Sequence, residues 1–349
     1  SVEELISIYN TLKSGTGDQI NEANQIINDF YADLDSIIYH MKLYMVCDDQ
    51  HLKNLALFII KNIITNYQKE ANEEIITQLH AWLIESLQNE RDELLWKSLC
   101  NIASIMLVNW FEYVNSSFSQ LANELLSNPG QHAIGLCLWE KIILQESINE
   151  RIIDLMKELF VIASQSLLND NQSIRQSAFD LIDMLIGKLQ DQDEIEKNEE
   201  FCQILMDVEE NLTRYADEIF KSSEVNNELQ TFVTKYSEVF EGFIPFFSQN
   251  STQIIEIALN TIADPLIPVD VRICVHFLID SYFQMILTEK VQFNTPEKET
   301  YDALEYTIQL TIAACQKDRE SDSYTFSEEF FKFRRNNFVF LFRILNFEC

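Results

Sequence analysis

The stretches IIDLMKELFVIASQSLL (152–168), Asn169-Asp170-Asn171-Gln172 and IRQSAFDLIDMLIGKL (174–189) decide how this chain folds. In both long stretches apolar residues return every three or four positions, which lays them along one face of an α-helix. The four polar residues between them form a break. An Asp or Asn there caps the second helix by accepting from its free N–H groups. Within Asp170-Asn171-Gln172-Ser173-Ile174-Arg175…Ala178 the apolar Ile174 packs inward, and Arg175 is placed to reach an acidic group of a neighbouring unit. Neither helix is stable alone, so the two pair and then need further pairs to cover them.

The unit recurs in both directions. Helices over 20–40 and 52–67 flank Cys47-Asp48-Asp49-Gln50, where Asp48 or Asp49 caps the second one. Helices over 75–87 and 93–108 flank Asn89-Glu90-Arg91-Asp92, and those over 111–125 and 132–144 flank Ser127-Asn128-Pro129-Gly130. A last pair, 252–262 and 269–287, carries the run Val269-Asp270-Val271-Arg272…His276, in which Arg272 is likewise placed to reach an acidic group of a neighbouring unit. Lys53, Lys97, Ala133, Arg175 and Arg272 hold equivalent places in the second helices. The first four follow one another at roughly 40 residues, the period of two-helix HEAT units. The last gap is twice as long, so one more pair lies inside 190–241. With only 6 Gly and 5 Pro in 349 residues, an all-β chain lacks its turns. The expected fold is all-α, a HEAT-repeat superhelical solenoid (a right-handed α-α superhelix), with 1–349 forming one array of about seven to eight helix pairs. The polar stretch 316–327 reads as a loop between a helix over 301–315 and the aromatic stretch 330–347. The end at Phe347-Glu348-Cys349 lacks the polar cap of a terminal repeat, which makes an N-terminal fragment of a longer solenoid the expectation.

The formal net charge is -31, which repels nucleic acid and anionic membranes and attracts basic partners. The region 190–241 is the most acidic, with 15 Asp/Glu against 4 Lys/Arg, and reads as helices with an acidic outer face. Stacked pairs are then expected to leave a long acidic inner wall. No uninterrupted apolar run stands out as a membrane span, since 55–64 is short and broken by Lys61. The seven cysteines (Cys47, Cys100, Cys137, Cys202, Cys274, Cys315, Cys349) are scattered and never spaced C-x-x-C, which argues against a disulfide framework or a zinc site and fits a reducing compartment.

Catalytic patterns are missing. His40, His51, His80, His132 and His276 form no i,i+4 pair, and His276 reads as a core residue. Gly15 and Gly17 lack the strand, Lys and Ser/Thr of a phosphate loop. No enzyme activity, cofactor or metal is expected. Phe243, Phe246 and Phe247 around Pro245, and the terminal aromatics, read mostly as inter-helix core.

The N-terminal third resembles the importin-β (karyopherin-β) nuclear transport receptors. Glu22-Ala23 with Ile26 and Phe30 is similar to that family's first helix. Leu52-Lys53…Leu55-Ala56…Ile60-Lys61-Asn62…Ile64 is similar to its next one. Asn109-Trp110-Phe111-Glu112, followed by Phe118, Leu121 and Leu125, is similar to its third-repeat start, with Phe111 in place of a Pro. The stretch 243–281 is similar to a repeat of the importin-five type. The resemblance implies a receptor that shuttles between cytoplasm and nucleus through the nuclear pore. It implies binding of cargo, here basic cargo, of Phe-Gly (FG) nucleoporin repeats in apolar slots between helices, and of the small GTPase Ran in its GTP form. On second helices the Ran-binding candidates are Asn54, Lys61, Asn62, Lys97, Asn101 and Glu140. A HEAT scaffold of a phosphatase or chromatin-associated complex is the alternative.

Overall fold

The structure, a computed structural model, describes residues 2–31, 34–67, 73–147, 149–189, 199–243, 251–264 and 266–287. The expected helix 301–315, the loop 316–327, the aromatic stretch 330–347, and Phe246 and Phe247 lie outside the described residues. All regular structure among the described residues is helical. The chain divides into two compact units, 1–148 and 149–349.

Unit 1 contains α1 (Val2–Ser14), α2 (Gly17–Tyr31), α3 (Ser36–Val46), α4 (Gln50–Tyr67), α5 (Glu73–Asn89), α6 (Glu93–Leu126) and α7 (His132–Gln145). First helices α1, α3 and α5 pack side by side. Second helices α2, α4, the first half of α6, and α7 form the neighbouring layer. This corrects the reading of 20–40 as one helix. The chain turns at Leu34-Asp35, so Glu22 and Ala23 belong to α2, a second helix paired with α1. The apolar residues Ile37 and Met41 continue the helical spacing of Ile26 and Ile27, which hid the turn. Asp49 caps α4, its Oδ1 accepting from His51 N at 2.8 Å and Leu52 N at 3.3 Å. Asp92 caps α6 through Leu95 N at 3.1 Å.

The two helices expected over 93–108 and 111–125 are present and follow directly on one another as α6, meeting at a kink where Trp110 leaves helical geometry (φ -137°, ψ 39°). No loop separates them; Asn109 Nδ2 donates to Ile105 O, one turn back, at 2.9 Å. Side-chain insertion of this kind is an ordinary cause of kinks. The merged α6 is long and apolar enough by composition to cross a membrane, contrary to the expectation that no such run exists. Most of its large apolar residues belong to the unit's core: Leu95, Trp96, Leu99, Ile102, Met106, Val114, Phe118 and Leu121 are buried, while Leu94, Val108 and Tyr113 are exposed. Gly135 of α7 lies so close to the second half of α6 that a Cβ would stand 2.8 Å from Leu126 N and 2.9 Å from Ala122 O. The buried Gln131 before α7 donates to the Leu87 carbonyl at 3.4 Å, satisfying one of the acceptors left open where α5 ends.

Unit 2 contains α8 (Glu150–Ser166), α9 (Gln172–Leu189), α10 (Glu199–Phe220), α11 (Asn227–Phe243), α12 (Ser251–Ala263) and α13 (Val269–Leu287). First helices α8, α10 and α12 line up, as do second helices α9, α11 and α13. The pair hidden in 190–241 is α10 with α11. A ring cluster of Phe179, Tyr215, Phe220, Phe232 and Tyr236 fills the space between α9, α10 and α11, with centroids 5.1 to 6.2 Å apart. Arg175 reaches an acid on the next second helix, as its sequence context predicts. Its Nε and NH2 donate to the two oxygens of buried Glu228 at 2.8 and 2.9 Å. Arg272 is buried and its Nε donates to Ile262 O at 2.8 Å, closing the C-terminal end of α12. His276 is buried, as expected.

Candidate binding face

Three successive second helices of unit 1 form the face on which the Ran-binding candidates fall: α4, the first half of α6, and α7. Helical spacing places Asn54, Phe58, Lys61 and Asn62 on the outward stripe of α4. Lys97, Asn101 and Val108 hold the stripe of α6, and Cys137, Glu140, Lys141 and Leu144 that of α7. Lys61 and Asn101 are exposed, while Asn54, Asn62, Lys97 and Glu140 are half-buried.

The structure brings some of these residues to partners of their own. Asn54 Oδ1 lies 3.5 Å from Ser98 Oγ across α4 and α6, at the outer limit of a hydrogen bond. Lys97 pairs with Glu93 one turn back at 2.7 Å and lies 5.5 Å from the Trp96 ring centre. Glu140 pairs with Lys141 at 2.7 Å, both side chains being 19% exposed. Burial works to lower the Lys141 pKa, but the charge and hydrogen bond of Glu140 outweigh it and leave it raised. The candidates are therefore spread over three helices, two of them, Lys97 and Glu140, engaged within their own helix.

The charge of this face departs from the acidic inner wall expected. Over α4, residues 93–109 and α7 the sequence holds Lys53, Lys61, Lys97 and Lys141 against Glu93 and Glu140. Three second-helix acids of unit 2 are neutralised: Lys235 reaches Asp180 at 2.9 Å and Asp183 at 3.1 Å, and Arg175 covers Glu228. Exposed acids lie on first helices, as Asp154 and Glu158 on α8 and Glu200, Asp207, Glu210 and Glu218 on α10, and also on second helices, as Asp18, Glu22 and Asp29 on α2 and Asp270 on α13. A carboxylate packed between helices, as Glu228 is, needs a partner.

Two further features carry chemistry. Tyr44 of α3 hydrogen-bonds Glu90, and Lys53 stands 5.1 Å from the centre of the same ring. Burial, then Glu90, push the Tyr44 phenol well above its ordinary range. Burial works to raise the Glu90 carboxyl, but bonds from Tyr44 and from the Asp92 and Arg91 N–H groups outweigh it, so its pKa is lowered. The second feature is an open cavity of about 490 Å³ at the α6 bend, lined by Ile76, Val108, Trp110, Phe111 and Tyr113 with Glu73, Asn109 and Glu112. Sequence reading marked Asn109-Trp110-Phe111 as a helix boundary but gave no sign of a cavity, because that depends on the angle between α5 and α6.

No family model matches the chain, and no curated protein matches it. Among solved structures it is similar to Kap121p, a HEAT-repeat karyopherin, with a TM-score of 0.62 over 97% of this chain. The fold is a HEAT-repeat fold. Sequence identity over the match is 13%, and the chain spans 32% of the length of that structure.

Proposed function

We propose that this chain is part of a nuclear transport receptor of the importin-β type, which carries proteins through the nuclear pore by binding cargo, FG nucleoporin repeats and Ran-GTP. One observation carries the reading. The N-terminal motifs that resemble the family fall on α2, α4 and the α6 bend, within a fold similar to that of a karyopherin over nearly the whole chain. In this reading the protein works in cytoplasm and nucleus and at the nuclear pore.

Each partner then has a surface of matching chemistry. The α4–α6–α7 face, with Asn54, Lys61, Asn62, Lys97, Asn101 and Glu140, takes Ran-GTP. The cavity at Trp110 has the aromatic lining and the size to take one Phe side chain of an FG repeat. The exposed carboxylates of α8 and α10 attract basic cargo. The decisive experiment is a pull-down with GTP-loaded and GDP-loaded Ran. Retention of the GTP form alone is the expected outcome. Equal retention of both forms, or of neither, overturns the reading and leaves a HEAT scaffold outside transport.

A further inference from the structure

The cavity at the α6 bend is divided by chemistry. It opens where Trp110 leaves helical geometry, beside the first turn of α5. Trp110, Phe111 and Tyr113 give it aromatic walls, and the side chains of Val108 and Tyr113 stand exposed to water. Glu73, the first residue of α5, and Glu112 of α6 add two carboxylates to the same lining. Both are exposed, and neither forms an ion pair among the described residues. No Lys or Arg is among the lining residues. Asn109 spends its Nδ2 on Ile105 O at 2.9 Å, which leaves its Oδ1 as an acceptor.

The aromatic wall is held in place. Thr77 Oγ1 donates its one proton to Glu73 O at 2.7 Å, so at 2.7 Å from Tyr113 it accepts from that phenol. The His80 ring meets the Tyr113 ring near-perpendicular, with centroids 6.0 Å apart. A wall fixed before the ligand arrives loses little freedom on binding. The volume of about 490 Å³ falls in the range of sites that hold whole small ligands, so a Phe ring leaves space for part of its neighbour.

We propose that the segment this cavity takes carries a Lys or Arg next to the Phe of its FG motif, the ring lying against Trp110, Phe111 and Tyr113 and the cation against Glu73 and Glu112. The proposal rests on the reading of the cavity as an FG site and adds the partner's charge to it. A cation beside aromatic faces is attracted by their electron density, and two carboxylates strengthen the pull. The stem of a Lys or Arg covers apolar surface such as Val108 while its head stays in water. A neutral neighbour leaves the two acids uncompensated, and an acidic one is repelled. An exposed ion pair is worth up to about threefold in affinity, so the two together give about tenfold. Glu73 also complements the dipole at the start of α5, a role that Glu112, past the bend, does not share.

The test uses the full chain and short dye-labelled peptides with one Phe-Gly core, flanked by Lys, by Gln or by Glu, and a Lys-flanked peptide with Ala for Phe. Fluorescence anisotropy at low salt reads their affinities. The Lys-flanked FG peptide should bind about tenfold more tightly than the Gln-flanked one, the Glu-flanked one more weakly still, and the Ala peptide not at all. In the double variant Glu73→Gln, Glu112→Gln the Lys and Gln peptides should bind alike, at the affinity of the Gln peptide for the unaltered chain. Both acids are exposed, so the double variant keeps the fold. Removing two other exposed acids, Glu85→Gln and Glu256→Gln, should leave the Lys preference intact. Equal affinity of the Lys and Gln peptides, or a Lys preference that survives the loss of Glu73 and Glu112, overturns the proposal and leaves the FG reading standing. Binding that does not need the Phe, or no binding of any FG peptide, overturns both.

Discussion

Replacing Glu228 by Ala strips a buried acid from the point where α9, α10 and α11 meet. Glu228 accepts from Arg175 Nε at 2.8 Å, from Arg175 NH2 at 2.9 Å and from the Tyr215 hydroxyl at 3.0 Å. Its side chain is 3% exposed and that of Arg175 12%. The loss leaves a charged guanidinium and a phenol without these partners in a dry interior. Breaking a buried pair in this way costs about 3–5 kcal/mol. The lower end applies, because Arg175 NH1 still donates to Asn169 O at 2.9 Å and Asp170 O at 3.2 Å. About 3 kcal/mol of the stability of unit 2 is therefore at stake. All four Trp residues (Trp82, Trp96, Trp110, Trp139) lie in unit 1, so fluorescence reports the wrong half. Hydrogen exchange of α9 and α11 peptides reads the right one, and protection should fall roughly 100-fold, at about 1.4 kcal/mol per decade. Combining Glu228→Ala with Arg175→Met should recover part of the loss, because no buried charge is then stranded. A single variant that costs under about 1 kcal/mol, the range of exposed pairs, would refute the reasoning.

Gly135→Ala should destabilise unit 1 by about 1–3 kcal/mol through overpacking, since the new methyl meets backbone atoms that cannot swing away; urea unfolding followed by Trp fluorescence measures it. His40 is buried, with Nδ1 donating to Ser36 O at 2.8 Å and Nε2 accepting from the Tyr9 hydroxyl at 2.7 Å. Burial lowers its pKa below the ordinary 6.5 despite the Ser36 bond. The unfolded chain therefore binds the proton more readily, and stability that is full above pH 6.5 is lost as pH falls from there through the folded pKa. His80, lowered by burial as well, adds a loss of the same sign. Urea midpoints across this range should fall with acid, and less so in His40→Gln.

The second-helix starts were legible because each combines a cap with a strong apolar period. Asp49 and Arg175 do in the structure what their positions require. The turn at Leu34-Asp35 was not legible. No Gly or Pro marks it, and the apolar spacing runs through it in phase. The α6 bend was read as a break for the opposite reason. Asn109 and Trp110 change the local pattern, but the backbone absorbs the change in one residue. Net charge indicated an acidic surface without saying which layer holds it. That depends on which carboxylates meet a cation in the packing, as Asp180 and Asp183 meet Lys235.

Because α6 serves two consecutive pairs with only the Trp110 kink between them, the residue count at that joint sets how one half is turned about the other. Each residue of an α-helix advances the side chains by about 100°. Deleting one residue beside Trp110 would swing Phe118, Leu121 and Leu125 away from the interior they fill. The same deletion among Ser127, Asn128 and Gly130 falls in a turn with slack to absorb it. Along most of such a fold, length changes between helices are tolerated. At this joint the chain behaves like a keyed shaft, and evolution is free to alter its side chains but not its count of residues.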